Sequence, residues 1–188
     1  MGKKINFIVL GLIVCFCFFK GAPYKAWGDL GAIDKGDTAW MLVSSAFVLL
    51  MTPGLAFFYG GMVSRKSIIS TMLQSFVALG VISVLWVFIG FSLAFGESYY
   101  GIIGSPLTYF AFNNVGLDPN AEFSQTIPFL LFALFQLKFA IITPALITGS
   151  FAERIRFRSY ILFMVLFSIL IYAQIGRASC RERVYVLV

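Results

Sequence analysis

Charged residues are few along this chain, and the stretches between them set its elements. The chain is uncharged from Ile5 to Phe19, from Thr38 to Ser64, from Ser67 to Gly96 and from Ser159 to Gly176; between Glu122 and Glu153 the single charge is Lys138. A helix needs about 20 apolar residues to cross the hydrocarbon core of a bilayer. All but the first stretch therefore predict membrane-spanning helices, over 40–63, 71–95, 127–149 and 159–174. The first is shorter. It follows Lys3 and Lys4 and precedes the small residues Gly21, Ala22, Ala26 and Gly28. That is the layout of a cleaved secretory signal, so residues 1–28 are read as a signal peptide, with an uncleaved anchor helix as the alternative.

Composition supports the membrane reading. Hydrophobic residues make up 60% of the chain and charged residues 12%, with 22 Phe, against about 25% charged in a soluble domain. A disordered chain, a disulfide scaffold and an ordinary cytosolic enzyme are excluded. The net charge of +6 forms no basic stripe, so no nucleic-acid partner is expected. There is no histidine, and the three cysteines, Cys15, Cys17 and Cys180, lie outside the hydrophobic body. With no paired intramembrane carboxylates either, no metal site, cofactor or enzyme activity is expected.

Loop charges set the orientation. Arg65 and Lys66 follow the 40–63 span, and Arg154, Arg156 and Arg158 follow the 127–149 span. The connection 96–125 carries Glu97, Asp118 and Glu122 but no Lys or Arg. Positive loops stay in the cytoplasm, so the mature N-terminus is expected outside, with 96–125 as an outer loop. Within it, 107–112 is apolar enough to pack as a short helix or strand.

Several positions stand out as candidates. Pro53 removes a helix hydrogen bond and predicts a kink. Gly54, Gly60 and Gly61 beside it, and the spacings Ala56-xxx-Gly60 and Ala145-xxx-Gly149, predict close helix packing. Phe132, Phe135, Phe139 and Ile142 recur at helical spacing on one face; such a face usually meets core or lipid, but stacked rings can also narrow a pore and attract a small cation. Lys138 is costly within a span and should face protein, water or a partner, or snorkel to the surface. Glu153 beside Arg154 and Arg156 offers a local ion-pair cluster at a turn.

Taken together these segments are distinctive. Thr52 to Gly61 with Arg65-Lys66, Leu85-Trp-Val87, Phe91 to Gly96, Phe135 to Gly149 and Ala152-Glu-Arg-Ile-Arg-Phe157 resemble, in order and spacing, the ammonium transporter (Amt/MEP/Rh) family over residues 37–174. The resemblance implies an all-α polytopic fold of eleven transmembrane helices, of which this chain holds the first four. It implies a homotrimer with one pore per subunit and a PII-type signal protein as a possible cytoplasmic partner. The location is then the inner (plasma) membrane. Phe135 and Phe139 match the family's two stacked gate phenylalanines, Gln136 the residue between them, and Glu153 and Arg154 its cytoplasmic turn. Lys138 lies next to that expected cation route. Trp86 is not the family's recruitment tryptophan; that residue, a buried aspartate and twin pore histidines belong to later helices. The family's mechanism binds ammonium outside, deprotonates it and passes ammonia through an apolar pore. A membrane ammonium sensor on the same module, and a non-transporting four-helix scaffold, are the alternatives. Residues 175–184 resemble one reading frame of a sequencing adapter, so 175–188 is read as an artefactual tail on an N-terminal fragment.

Overall fold

The computed structural model describes residues 33–99 and 103–178. The predicted signal peptide and residues 179–188 lie outside the described residues. Four long helices dominate: α1 (Lys35–Met62), α2 (Ile68–Phe95), α3 (Phe129–Phe151) and α4 (Phe157–Gly176). Each is long and apolar enough to cross a membrane. They coincide with the four predicted spans and overrun them at most ends by two to five residues, because polar caps and turns lie outside the hydrophobic runs.

Local chemistry sets the ends. The Asp34 carboxylate accepts from the Asp37 N–H at 2.8 Å and caps α1, satisfying a donor that a helix start leaves unpaired. Asp37 in the first turn suits the positive end of the helix dipole. α1 runs through Pro53 without interruption and stops where Val63 turns extended. Two helices widen locally. In α2 the Phe91 N–H reaches the Trp86 carbonyl, and in α4 the Ala173 N–H reaches Ser168, each five residues back. These are single π-helical turns, and periodicity does not reveal them.

α1 packs on α2 and α3, α3 on α2, and α4 on α2 and α3. Gly60 is where α1 and α2 come close: a Cβ there would lie 2.8 Å from Met72 Cγ. Gly54 and Gly61 behave differently from expectation. Both are exposed, and a Cβ at either would meet nothing within 4 Å among the described residues. Thr148 and Tyr160 join α3 to α4 through a buried hydroxyl pair at 2.7 Å.

The connection between α2 and α3 folds onto the helix ends. Two short strands, β1 (Ser98–Tyr99) and β2 (Ile103–Gly104), pair antiparallel. The apolar 107–112 segment forms a 3-10 turn over Phe110–Phe112. Tyr109 inserts beside Phe91 and Phe129, with ring centroids 5.4 Å from each. Ser92 ties the loop down: its hydroxyl donates to the Ser105 carbonyl at 2.7 Å and accepts from the Tyr109 N–H at 3.0 Å. Trp86 is core: it is buried against Phe91, Phe95 and Tyr172, and its indole N–H donates to the Ala133 carbonyl of α3. The opposite end of the bundle carries the cations Arg65, Lys66, Arg154, Arg156 and Arg158, all exposed.

Candidate functional site

α3 has two faces. At about 100° per residue, Ala133, Leu137, Ala140, Pro144 and Thr148 share one side, and all are buried against the other helices. Phe135, Phe139 and Leu146 fall within about 40° of one another on nearly the opposite side. The phenylalanines are half-buried and Leu146 is exposed. This aromatic face is therefore turned from the buried side of α3.

Phe135 and Phe139 touch, with centroids 5.1 Å apart and planes at 73°. They meet edge to face rather than stacked as expected. The ring quadrupole favours this arrangement over a face-to-face sandwich. Gln136 lies about 60° around the helix from Phe139, and Lys138 about 100° around; both are half-buried. Among the described residues Lys138 has no hydrogen bond or ion pair.

Towards the basic end, the α3 face opens into a crevice of about 360 Å³ between α1 and α3, lined by Phe58, Tyr59, Met62, Leu146, Gly149 and Ser150. Leu146 is seven residues beyond Phe139, about 10 Å along the axis, so the crevice prolongs the aromatic face. Two links cross between the elements beside it. The Tyr59 hydroxyl donates to the Leu146 carbonyl at 2.7 Å. Its ring lies over Gly149, where a Cβ would come within 2.6 Å of Cε1; the Ala145-xxx-Gly149 spacing serves this approach of α1. Past the end of α3, the Glu153 carboxylate accepts from both the N–H (2.9 Å) and the hydroxyl of Ser64. Glu153 therefore joins the two basic-end loops instead of forming an ion pair with Arg154 and Arg156. The Ser64 bonds hold its carboxyl below the ordinary glutamate range, hydroxyl first, then backbone. Arg154 is exposed, and its N–H closes the turn on the Phe151 carbonyl. Tyr59 and Ser64 carry no sequence signal of these links: Tyr59 reads as one more aromatic, and Ser64 as a loop polar residue.

A family model described as the Ammonium Transporter Family matches residues 39–180. The chain belongs to the ammonium transporter family. It is 47% identical over 156 residues to an ammonium transporter of Mycobacterium tuberculosis, covering 76% of this chain and 33% of that protein. An ammonium transporter of Aquifex aeolicus is 43% identical over 153 residues, covering 80% and 35%. Among solved structures, Saccharomyces cerevisiae Mep2 superposes with a TM-score of 0.67 at 34% identity, over 77% of this chain and 32% of Mep2. A structure described as a sensor Amt protein superposes at 0.68 with 29% identity, over 77% and 34%. The chain spans about a third of the length of the curated relatives it matches. Four helices of membrane-spanning length make this a multi-pass membrane architecture, and the relatives are named as transporters.

Proposed function

We propose that the protein to which these helices belong moves ammonium or ammonia across the inner (plasma) membrane, and that the α3 face of Phe135, Phe139 and Leu146 lines its route. One observation carries the reading: an ammonium-transporter helix turns an aromatic pair away from its packed side and into line with a crevice at the basic end. Orientation follows from charge. Five cations at one end, against no Lys or Arg in the 96–125 loop at the other, support a cytoplasmic crevice and an outer α2–α3 loop, with the N-terminus outside after removal of residues 1–28.

The physics limits what the face does. An unpaired ion in hydrocarbon costs tens of kcal/mol by Born estimates, whereas a cation–π contact returns about 0.5–2 kcal/mol. The rings can attract ammonium and narrow its path, but they cannot carry the charge across. The cargo then crosses as neutral ammonia, and a proton relay on other helices moves the proton. Residues 37–174 contain no histidine to serve as one. Gln136 and Lys138 flank this route, and Glu153 and Arg154 form its cytoplasmic turn. A homotrimer is the assembly, and the basic end is part of the surface a PII-type signal protein meets. The sensor alternative shares the same membrane module, as the fold similarity to a sensor Amt protein illustrates.

The test is methylammonium uptake by cells lacking their own ammonium carriers. The intact protein gives saturable uptake that ammonium suppresses, and residues 1–174 alone give none. Uptake by 1–174 alone, or no uptake by an intact, folded protein, contradicts the proposal. The second result favours the sensor.

A further inference from the structure

The turn after α3 holds a strained residue that its own helix ends do not explain. Glu153 sits at φ 65°, in the left-handed region that residues other than glycine enter at a cost. Its side chain caps neither α3 nor α4. It reaches instead to residue 64, which is 89 positions away in the chain, and takes two hydrogen bonds there. Glycine or asparagine would make such a turn at less cost, so the glutamate is explained by what its carboxylate holds.

What it holds is one side of the crevice. Ser64 lies just past the end of α1, five residues after Tyr59. Glu153 lies just past the end of α3, seven residues after Leu146. The crevice runs between these pairs. The Tyr59 hydroxyl bonds the Leu146 carbonyl within its lining, and the Glu153–Ser64 clasp lies one residue beyond Val63 and Ala152, which also line it. These two links hold α1 to α3 beside the crevice. Releasing the clasp leaves the Tyr59 bond and the helix packing to hold that spacing.

We propose that Glu153 is a positioning residue for transport: by clasping Ser64 it holds the end of α1 against the end of α3 and so sets the width of a cytoplasmic exit at the crevice lined by Tyr59, Met62, Leu146 and Ser150. The inference rests on the transport reading above. Glu153 does not touch the cargo. It acts through the position of Tyr59, so its loss changes the exit step and not recognition at the outer mouth.

The experiment uses the full-length protein and methylammonium uptake, resolved into maximal rate and half-saturation, beside the amount of monodisperse protein extracted in detergent. Glu153→Gly frees the strained turn and removes the clasp. Ser64→Ala removes the hydroxyl bond, and Ser64→Thr restores a hydroxyl. The expected result is at least a threefold change in maximal rate for Glu153→Gly and a smaller change in the same direction for Ser64→Ala. Half-saturation stays within twofold, extraction is normal, and Ser64→Thr is close to the parent. The double variant Glu153→Gly/Ser64→Ala matches Glu153→Gly, because both act through one clasp. An unchanged maximal rate in well-extracted Glu153→Gly overturns the proposal. If Glu153→Gly extracts poorly, Ser64→Ala and Ser64→Thr decide, and equal rates in those two overturn it. Absence of uptake by the folded parent overturns the transport reading itself, which separates the two failures.

Discussion

Replacing Gly149 by alanine tests the contact that brings α1 onto α3. The new Cβ would lie 2.6 Å from Tyr59 Cε1, 2.9 Å from Cζ and 3.1 Å from the hydroxyl oxygen. The ring has to swing out, and doing so breaks its 2.7 Å bond to the Leu146 carbonyl. Overpacking costs about 1–3 kcal/mol, and the lost hydrogen bond about 0.5–1.5 kcal/mol. Alanine also gains about 1 kcal/mol of helix propensity over glycine, which obscures the penalty in a single variant. Gly54→Ala and Gly80→Ala remove that ambiguity, since among the described residues a Cβ at either site meets nothing within 4 Å and only the propensity gain applies. Gly149→Ala should therefore be less stable than Gly54→Ala by about 1.5–4.5 kcal/mol, the sum of the overpacking and hydrogen-bond costs. The assay is equilibrium unfolding of the detergent-solubilised protein by a denaturing detergent, followed by circular dichroism. Tyr59→Phe supplies the cycle: it removes the hydrogen bond in advance, so Gly149→Ala costs less in that background. Equal stability of Gly149→Ala and Gly54→Ala would refute the assigned contact.

Other perturbations give equally definite outcomes. Lys138→Met should favour membrane insertion of the α3 segment by about 2.5–3.5 kcal/mol if Lys138 sits near the helix centre; an insertion assay showing no gain refutes that depth. Glu153 has a lowered pKa in the folded chain, so its clasp contributes stability above the ordinary glutamate pKa and loses it as pH falls through the lowered value. The stability gap between the parent and Glu153→Gln should close on acidification, and a gap constant through that range refutes the assignment. A long amplicon across the codons for Tyr172 to Val188 should read into further hydrophobic helices in place of 175–188; recovery of those same codons followed by a stop contradicts the artefactual-tail reading.

The helices were legible because lipid imposes a simple code: charge clusters bound long apolar runs, and the four runs became α1 to α4. Gly60 and Gly149 were legible as contacts for the same reason, since small residues at helical spacing permit close approach. Gly54 and Gly61 show the limit of that signal, because composition does not reveal which side of a helix has a neighbour. The π-helical turns at Trp86–Gly90 and Ser168–Tyr172 leave the apolar pattern unchanged and so were invisible. The aromatic pair was found by spacing, but its edge-to-face angle depends on side-chain torsions that spacing does not fix. The clasp was missed for a different reason. Ser64 and Glu153 are far apart in the chain, and the local charges of Arg154 and Arg156 offered a nearer partner that the left-handed turn does not use.

The central claim is that the Phe135–Phe139 face of α3 lines the route of ammonium. Uptake of methylammonium into liposomes containing the intact protein, as parent, Phe135→Ala and Phe139→Ala, tests it most directly. A lost cation–π contact of about 0.5–2 kcal/mol corresponds to about 2–30-fold weaker half-saturation, and the account predicts a change of that size in at least one of the two variants. Parent half-saturation and parent rate in both variants, with both folded, would contradict it.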